Sequence, residues 1–293
     1  KIKIAKNDQI KTKLIEAKGD QKKIWATVKS LYSDKTNEIS CIKFQSEMIY
    51  NKMIMPNKMN EFFVNSIKEI VDSIPSSIKN NYIEKIPLAN SSFELKKINI
   101  VELRLICQDL IKKSFHDELS GKVICDAIKN EKFCKSLLIF INECISRNII
   151  PNELKISLVT PLPKINEAVK CEDFRPINNL PVIEKIIETV ILNQIKDYVH
   201  ENDIMCDRQF GFRKKMSTED AVNVSLVDWF DEYEKDNVIV IVSLDLKRAF
   251  ETIDRKILLQ KLRRYGFKES VLELLKNYLE NRFQVTKINN ILS

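Results

Sequence analysis

Apolar positions recur with a helical period over several stretches of the chain. From Lys1 to about Leu31, Ile10, Leu14, Trp25, Val28 and Leu31 stand among lysines, which predicts one or two basic amphipathic helices. Residues 32–60 are polar and mixed. Met59–Ile70 (MNEFFVNSIKEI) returns to helical spacing with Phe62, Phe63, Ile67 and Ile70. Asp72–Ser92 carries Pro75, Pro87 and two Asn-rich patches, the composition of a linker. Further helices are expected over Ile98–Lys112, over Ser136–Arg147 with a stop at Pro151, and over Pro181–Tyr198, where Ile183, Ile186, Ile187, Val190, Ile191 and Ile195 form one stripe. Ile156–Val159 is a short apolar run. Val238–Leu246 (VIVIVSLDL) is a near-continuous β-branched run of strand length, the pattern of a strand buried on both faces. Asp254–Tyr265 reads as a helix with Ile257, Leu258, Leu262 and Tyr265 facing inward, Asp254 as its N-cap and Gly266 as its C-terminal cap. No internal repeat is visible.

Composition narrows the class. With 44% hydrophobic residues among 293, the chain can bury enough surface to fold, as one large or two modest domains. Even its richest apolar run falls short of a membrane span, and KIKIAKNDQIK has no apolar core of a signal peptide. The expectation is an intracellular protein of nucleus or cytoplasm, with no membrane partner, whose first residue is not an initiating Met and so lies within a longer protein. Seven scattered cysteines without a C-x-x-C pair, and two histidines, argue for reduced thiols rather than a zinc site. Four glycines leave no glycine-rich phosphate loop, so phosphate chemistry would fall to metals and cationic side chains. Residues 1–150 hold 26 Lys+Arg against 18 Asp+Glu and residues 151–293 hold 22 against 23, so the whole net charge of +7 comes from the first half. Such a basic arm suits a polyanion, although Lys-rich surfaces are also ordinary.

One carboxylate stands out. Asp245 lies one residue from the end of the β-branched run, where a desolvated charge needs a cation or a metal. Two readings are open. It could bind a divalent ion together with the Leu246 carbonyl, hard oxygen ligands of the kind Mg2+ prefers, or it could turn to solvent and cap a turn.

Neighbouring residues supply a resemblance. Val242–Arg255 (VSLDLKRAFETIDR) resembles the first catalytic motif of reverse transcriptases of non-LTR retrotransposons, commonly L-D-L-S-K-A-F-D-T-V-D. LVTPLPK at 158–164, DFRPINNLPVIEK at 173–185 and QFGFRKKMST at 209–218 resemble the family's finger motifs, in the family's order. Met59–Ile70 is similar to its N-x-F-F-x-x-I segment, and Lys112–Ile128 to K-S-x-G-x-D-G-I-S. There His116 replaces a glycine and Glu118 and Leu119 replace Asp-Gly, which alters a turn that glycine would ease. Glu251 replaces an aspartate and keeps its charge. The branch resembled is the jockey-like and LINE-like one.

The resemblance implies roles for these positions. Asp245 would be the catalytic, metal-binding carboxylate and Leu246 a backbone ligand, for Mg2+ or alternatively Mn2+. Phe250 would be a steric gate against the ribose 2′-hydroxyl. Lys164 and Arg175 would clamp the triphosphate of an incoming dNTP, and Arg213 and Lys214 would touch the template backbone. Neither His116 nor His200 has a visible acid–base partner. The implied partners are an RNA template, a DNA primer and dNTP.

The implied fold class is α+β: a helical, basic N-terminal region over 1–140, then over 141–293 the fingers and first half of the palm of a right-hand polymerase. Tyr278–Lys287 resembles the stretch before the family's glycine-glutamine motif. That motif, the F/Y-A-D-D hairpin and the thumb are not found in the 293 residues, and the expectation is a fragment inactive by itself. The apolar strand at 238–246 would then lack its neighbours and favour self-association. Two functions follow as alternatives: part of an RNA-directed DNA polymerase, or a degenerate or domesticated remnant that binds nucleic acid without catalysis.

Overall fold

A computed structural model of the chain describes residues 11–12, 15–16, 38–74, 83–112, 123–124 and 126–293. The helices expected over 1–31, apart from four residues, and the segment with His116, Glu118 and Leu119 lie outside the described residues.

In chain order the described residues form a hairpin of β1 (Ile42–Phe44) and β2 (Glu47–Ile49), the helices α1 (Met55–Asp72), α2 (Ile100–Lys112) and α3 (Glu131–Arg147), strands β3 (Ile156–Pro163) and β4 (Phe174–Asn179), helices α4 (Val182–Glu201), α5 (Thr218–Tyr233), α6 (Arg255–Arg264) and α7 (Glu269–Leu279), and strands β5 (Phe283–Ile288) and β6 (Ile291–Leu292). The main sheet has the order β4-β3-β5-β6. In it β3 pairs antiparallel with β4 and parallel with β5, and β5 pairs antiparallel with β6. Helices and a mixed sheet make this an α+β fold, as the sequence implied.

Helix boundaries follow their caps. α3 begins earlier than the apolar spacing alone suggests because Asn130 Oδ1 accepts from the amides of Lys132 (3.0 Å) and Phe133 (3.2 Å). It ends where Asn148 takes a left-handed φ of 56°, and it runs through residue 140. α6 is capped by Asp254, whose Oδ1 accepts from Lys256 (2.9 Å) and Ile257 (3.2 Å). Its packed side is set by Leu259, Leu262 and Tyr265, while Ile257 and Leu258 are half-buried outside that cluster.

Three apolar clusters hold the elements together. Leu103 and Ile106 of α2, Leu137 and Ile141 of α3, Ile186, Ile187 and Val190 of α4, and Leu274 of α7 form the largest. A second joins Ile42, Met55, Met59 and Phe63 to Val159, Phe174 and Ile288, so β1 and α1 cover one face of the main sheet. The third stacks the rings of Phe93, Tyr198 and Phe267 at centroid distances of 4.9–5.8 Å. Four cysteines behave as small hydrophobes: Cys107, Cys134, Cys144 and Cys171 are buried thiols in no disulfide, and burial pushes the Cys171 thiol up to about 12.

Two expectations change. The linker expected at Asp72–Ser92 is, in its described part, tied down: the Ala89 amide donates to Arg264 O (2.9 Å), and the Arg264 guanidinium donates to the carbonyls of Ile86 (2.6 Å) and Glu84 (3.1 Å). The strand expected at Val238–Leu246 is in no sheet. It is exposed instead of buried on both faces, with Val240 at 81% and Leu244 at 87%. β-branched residues favour an extended backbone, but a strand exists only where a neighbour takes its amides and carbonyls. Among the described residues none does. α5, which precedes this run, likewise buries no residue.

Glu184 is fully buried in the first turn of α4, with Lys155 1% exposed nearby. Arg282 Nη2 lies 2.9 Å from Glu184 Oε1, an ion pair without hydrogen-bond alignment, since neither carboxylate oxygen has a hydrogen-bond partner among the described residues. Burial raises the Glu184 carboxyl above its ordinary range, more than Arg282 and Lys155 lower it, while the neighbouring Glu188 adds to the rise.

Two stability measurements test this packing. Gly266 has φ +86°, and a Cβ there would lie 2.2 Å from Ser91 O and 2.5 Å from Tyr198 Oη. Gly266→Ala is therefore expected to destabilise the chain in denaturant titration by more than the roughly 1–3 kcal/mol of backbone strain alone. A carboxyl whose pKa is raised on folding contributes stability below its unfolded pKa and loses it as pH rises through the folded value. Glu184→Gln should accordingly flatten the fall in melting temperature between acid and neutral pH.

Candidate functional site

The β3–β4 hairpin carries two of the implied cations. Leu162 stands opposite Arg175 in the antiparallel register, and beyond Pro163 the Lys164 amide donates to Asp173 O at 2.7 Å, extending the pairing by one step. Directly opposed residues share a face, as do residues two apart along a strand. Lys164 and Arg175 therefore stand on one face at the end of the hairpin, and both are exposed. The intervening loop is closed by Asp173, whose Oδ2 accepts from the amides of Val169 (3.3 Å) and Lys170 (2.9 Å). Lys164 Nζ donates to Glu172 O at 2.5 Å, so its ammonium is steered along that loop.

The turn before α5 brings in aromatic rings. Arg213 Nη1 donates to Cys206 O (3.0 Å) and, more weakly, to Gln209 O (3.4 Å), closing the turn on itself. Ser217 and Asp220 then start α5 with a reciprocal capping box: the Ser217 amide donates to Asp220 Oδ2 (2.7 Å) and the Asp220 amide to Ser217 Oγ (3.1 Å). Within the turn, Phe212 at φ 62° sets its ring edge-on against Phe250, with centroids 5.8 Å apart and planes at 90°. Edge-to-face geometry is the favourable arrangement for two rings. Phe212 and Phe250 are otherwise open to solvent, and Lys214 projects from the same turn, exposed.

Asp245 sits at the end of the unpaired run and is exposed, as is Leu246. The expected burial at a strand edge is thus not found, for the reason given for the strand itself. Arg248, at φ 52°, is half-buried and turns back toward α1, where its Nη1 donates to Phe63 O (3.4 Å) and its Cζ lies 5.9 Å from the centre of the Phe62 ring. Whether these residues suit a divalent ion follows from the donor set. Mg2+ takes six oxygen ligands, several of them water, and such sites usually draw on more than one carboxylate or phosphate. Among the described residues no three His, Cys, Asp or Glu side chains gather into such a group. One exposed carboxylate and a carbonyl do not fit a metal site unaided.

The structure thus brings Lys164 together with Arg175, and Phe250 against the turn of Arg213 and Lys214. Asp245 stands in the same segment as Phe250. Phe212 and Arg248 carry no assigned role in the sequence reading. The aromatic in QFGFR was a visible signal for Phe212, whereas Arg248 meets partners 185 or so positions away that no local pattern reveals.

Residues 162–292 match the family described as reverse transcriptase (RNA-dependent DNA polymerase). The chain is 28% identical over 158 residues to the "Probable RNA-directed DNA polymerase from transposon BS" of Drosophila melanogaster, covering 53% of this chain and 17% of that protein. It is 24% identical over 193 residues to the RNA-directed DNA polymerase from mobile element jockey of the same species, covering 65% and 21%. With the 115 kDa protein of the type-1 retrotransposable element R1DM, also from Drosophila, it shares 26% identity over 247 residues, 80% of this chain and 21% of that protein. The chain spans about a fifth of the length of these curated relatives. Residues 162–292 thus match a reverse transcriptase domain, and the chain is similar to proteins of Drosophila non-LTR retrotransposons, RNA-directed DNA polymerases among them.

Proposed function

We propose that this chain is the fingers and first part of the palm of an RNA-directed DNA polymerase, which as a whole adds deoxynucleotides to a primer 3′-hydroxyl on an RNA template. The observation that carries this reading is the matched domain over 162–292, which contains Lys164, Arg175, the QFGFR turn and the Asp245–Phe250 segment. Lys164 and Arg175, on one face of the hairpin, clamp the triphosphate of the incoming dNTP and offset the charge that develops as pyrophosphate leaves. Arg213 shapes the turn that presents Lys214 to the template phosphates. Phe250, braced by Phe212, fills the space of a ribose 2′-hydroxyl. Asp245 and the Leu246 carbonyl would be two of the ligands for the Mg2+ or Mn2+ such enzymes use, and would hold it only with further ligands from outside this group. Completed by those further ligands, the site would hold a divalent ion whose contribution would be Lewis-acid stabilisation of the reacting phosphate.

The exposed apolar run at 238–246 supports pairing with a further strand, from the same protein or from a second copy. Its reduced cysteines support work inside the cell, in nucleus or cytoplasm.

The test is primer extension on an RNA template by the complete polymerase that contains this chain. Asp245→Asn is expected to reduce extension to background. Phe250→Ala should lower discrimination of dNTP against rNTP on the order of 10- to 200-fold, the range for one pocket contact, and Phe212→Ala should shift it in the same direction by less. A wild-type protein that binds RNA with a steep salt dependence but extends no primer would overturn the reading in favour of a non-catalytic nucleic-acid-binding remnant.

A further inference from the structure

The segment that holds Asp245 and Phe250 has little to fix it. Asp245, Leu246 and Phe250 are exposed, and residues 238–246 belong to no sheet. Beside the edge contact of Phe250 with Phe212, Arg248 ties this segment to the fold. Its backbone lies in the left-handed region at φ 52°, a conformation that side-chain-bearing residues keep only where their surroundings over-determine it. Its carbonyl closes a turn by accepting from the amides of Glu251 and Thr252 (both 3.2 Å) and from Thr252 Oγ1 (3.1 Å). Its guanidinium reaches α1, donating to Phe63 O and lying over the Phe62 ring. Each contact is at the long end of its range, but together they use the plane and the edge of one rigid group.

α1 is itself immobilised. Phe63 is 1% exposed in the core under the sheet, and Asn60 Oδ1 accepts from Gln284 Nε2 (2.8 Å) and Thr286 Oγ1 (3.0 Å) of β5. A continuous path therefore runs from the sheet through α1 to Arg248. α1 lies upstream of the matched domain, which begins at residue 162.

We infer that Arg248 is a positioning residue: it seats the Asp245–Phe250 segment on α1, so that the upstream helix decides where the carboxylate and the gate stand. This rests on the polymerase reading above. A lysine could point an ammonium at the carbonyl or at the ring, but it lacks the planar fork that serves both. The neighbouring Lys247, exposed, does not substitute.

The experiment uses the complete polymerase with Arg248→Ala, Arg248→Lys and Phe62→Leu, the last removing the ring from the other side of the contact. Arg248→Ala should lower kcat about 10- to 100-fold, the effect of a small misplacement of reacting groups. The KM for dNTP should change little because the Lys164–Arg175 clamp is untouched. Discrimination against rNTP should fall in parallel, Arg248→Lys should recover part of both, and Phe62→Leu should give a smaller loss that is not additive with Arg248→Ala. Wild-type kcat and discrimination in Arg248→Ala, or full additivity with Phe62→Leu, would overturn the inference. Amide exchange of residues 249–252 provides a readout independent of activity. Arg248→Ala should speed it at unchanged melting temperature. If the wild type extends no primer, the polymerase reading fails, while unchanged exchange in Arg248→Ala shows that the seating itself is wrong.

Discussion

Thr286 is completely buried in the middle of β5, and its hydroxyl has to find an acceptor there. It finds Asn60 Oδ1, which also accepts from Gln284 Nε2. That small network sets the register of α1 against the sheet, because Asn60 can reach both donors only when Met59 and Phe63 face the core beside Val159 and Ile288. Ile39 adds a second tie: its amide donates to Asn289 Oδ1 (3.1 Å) and its carbonyl accepts from Asn289 Nδ2 (2.7 Å). Residues far apart in the chain are thereby made one layer. β5 then pairs in parallel with β3, Ile156 opposite Phe283, and the long crossover between them carries α4, α5, the Asp245 segment, α6 and α7.

Polar burial elsewhere is less well answered. Tyr278 donates its hydroxyl to Glu188 and is held above its ordinary pKa by burial, while Arg282 lies 4.7 Å over its ring and faces Glu184. This cluster joins α7 and the start of β5 to α4. An ion pair taken out of water returns little net stability unless its geometry is close to ideal, and here the Glu184 oxygens lack aligned donors. The apolar contacts of Ile186, Ile187 and Leu274 around it carry the packing.

Much of the helical scaffold could be read from apolar spacing, since α1, α2, α3 and α4 all fall on stretches whose period marks one buried stripe. The Asp254 cap and the Gly266 turn were also legible, because each rests on chemistry local to a few residues. The run at 238–246 was not, because composition reports a preference for extended backbone while a strand requires a neighbour. The described part of the 72–92 segment misled in the opposite sense: proline and asparagine marked irregular backbone correctly, but the Arg264 guanidinium that it binds lies 178 and 180 positions from Ile86 and Glu84. In the candidate site, the order of motifs pointed to Lys164, Arg175 and Phe250. Their pairing, Lys164 with Arg175 and Phe250 with Phe212, depends on hairpin register and on the turn that Arg213 closes. The contact between Arg248 and α1 could come only from the fold.

α1, upstream of the matched domain, and β5, inside it, are one structural unit. Hydrogen exchange measured across the chain tests it most directly, since amides that open together share one opening free energy. The amides of α1 and β5 are expected to exchange with the same protection, and Asn60→Ala to lower both together. Exchange of α1 in a faster, separate phase, with β5 unaffected by Asn60→Ala, would contradict it.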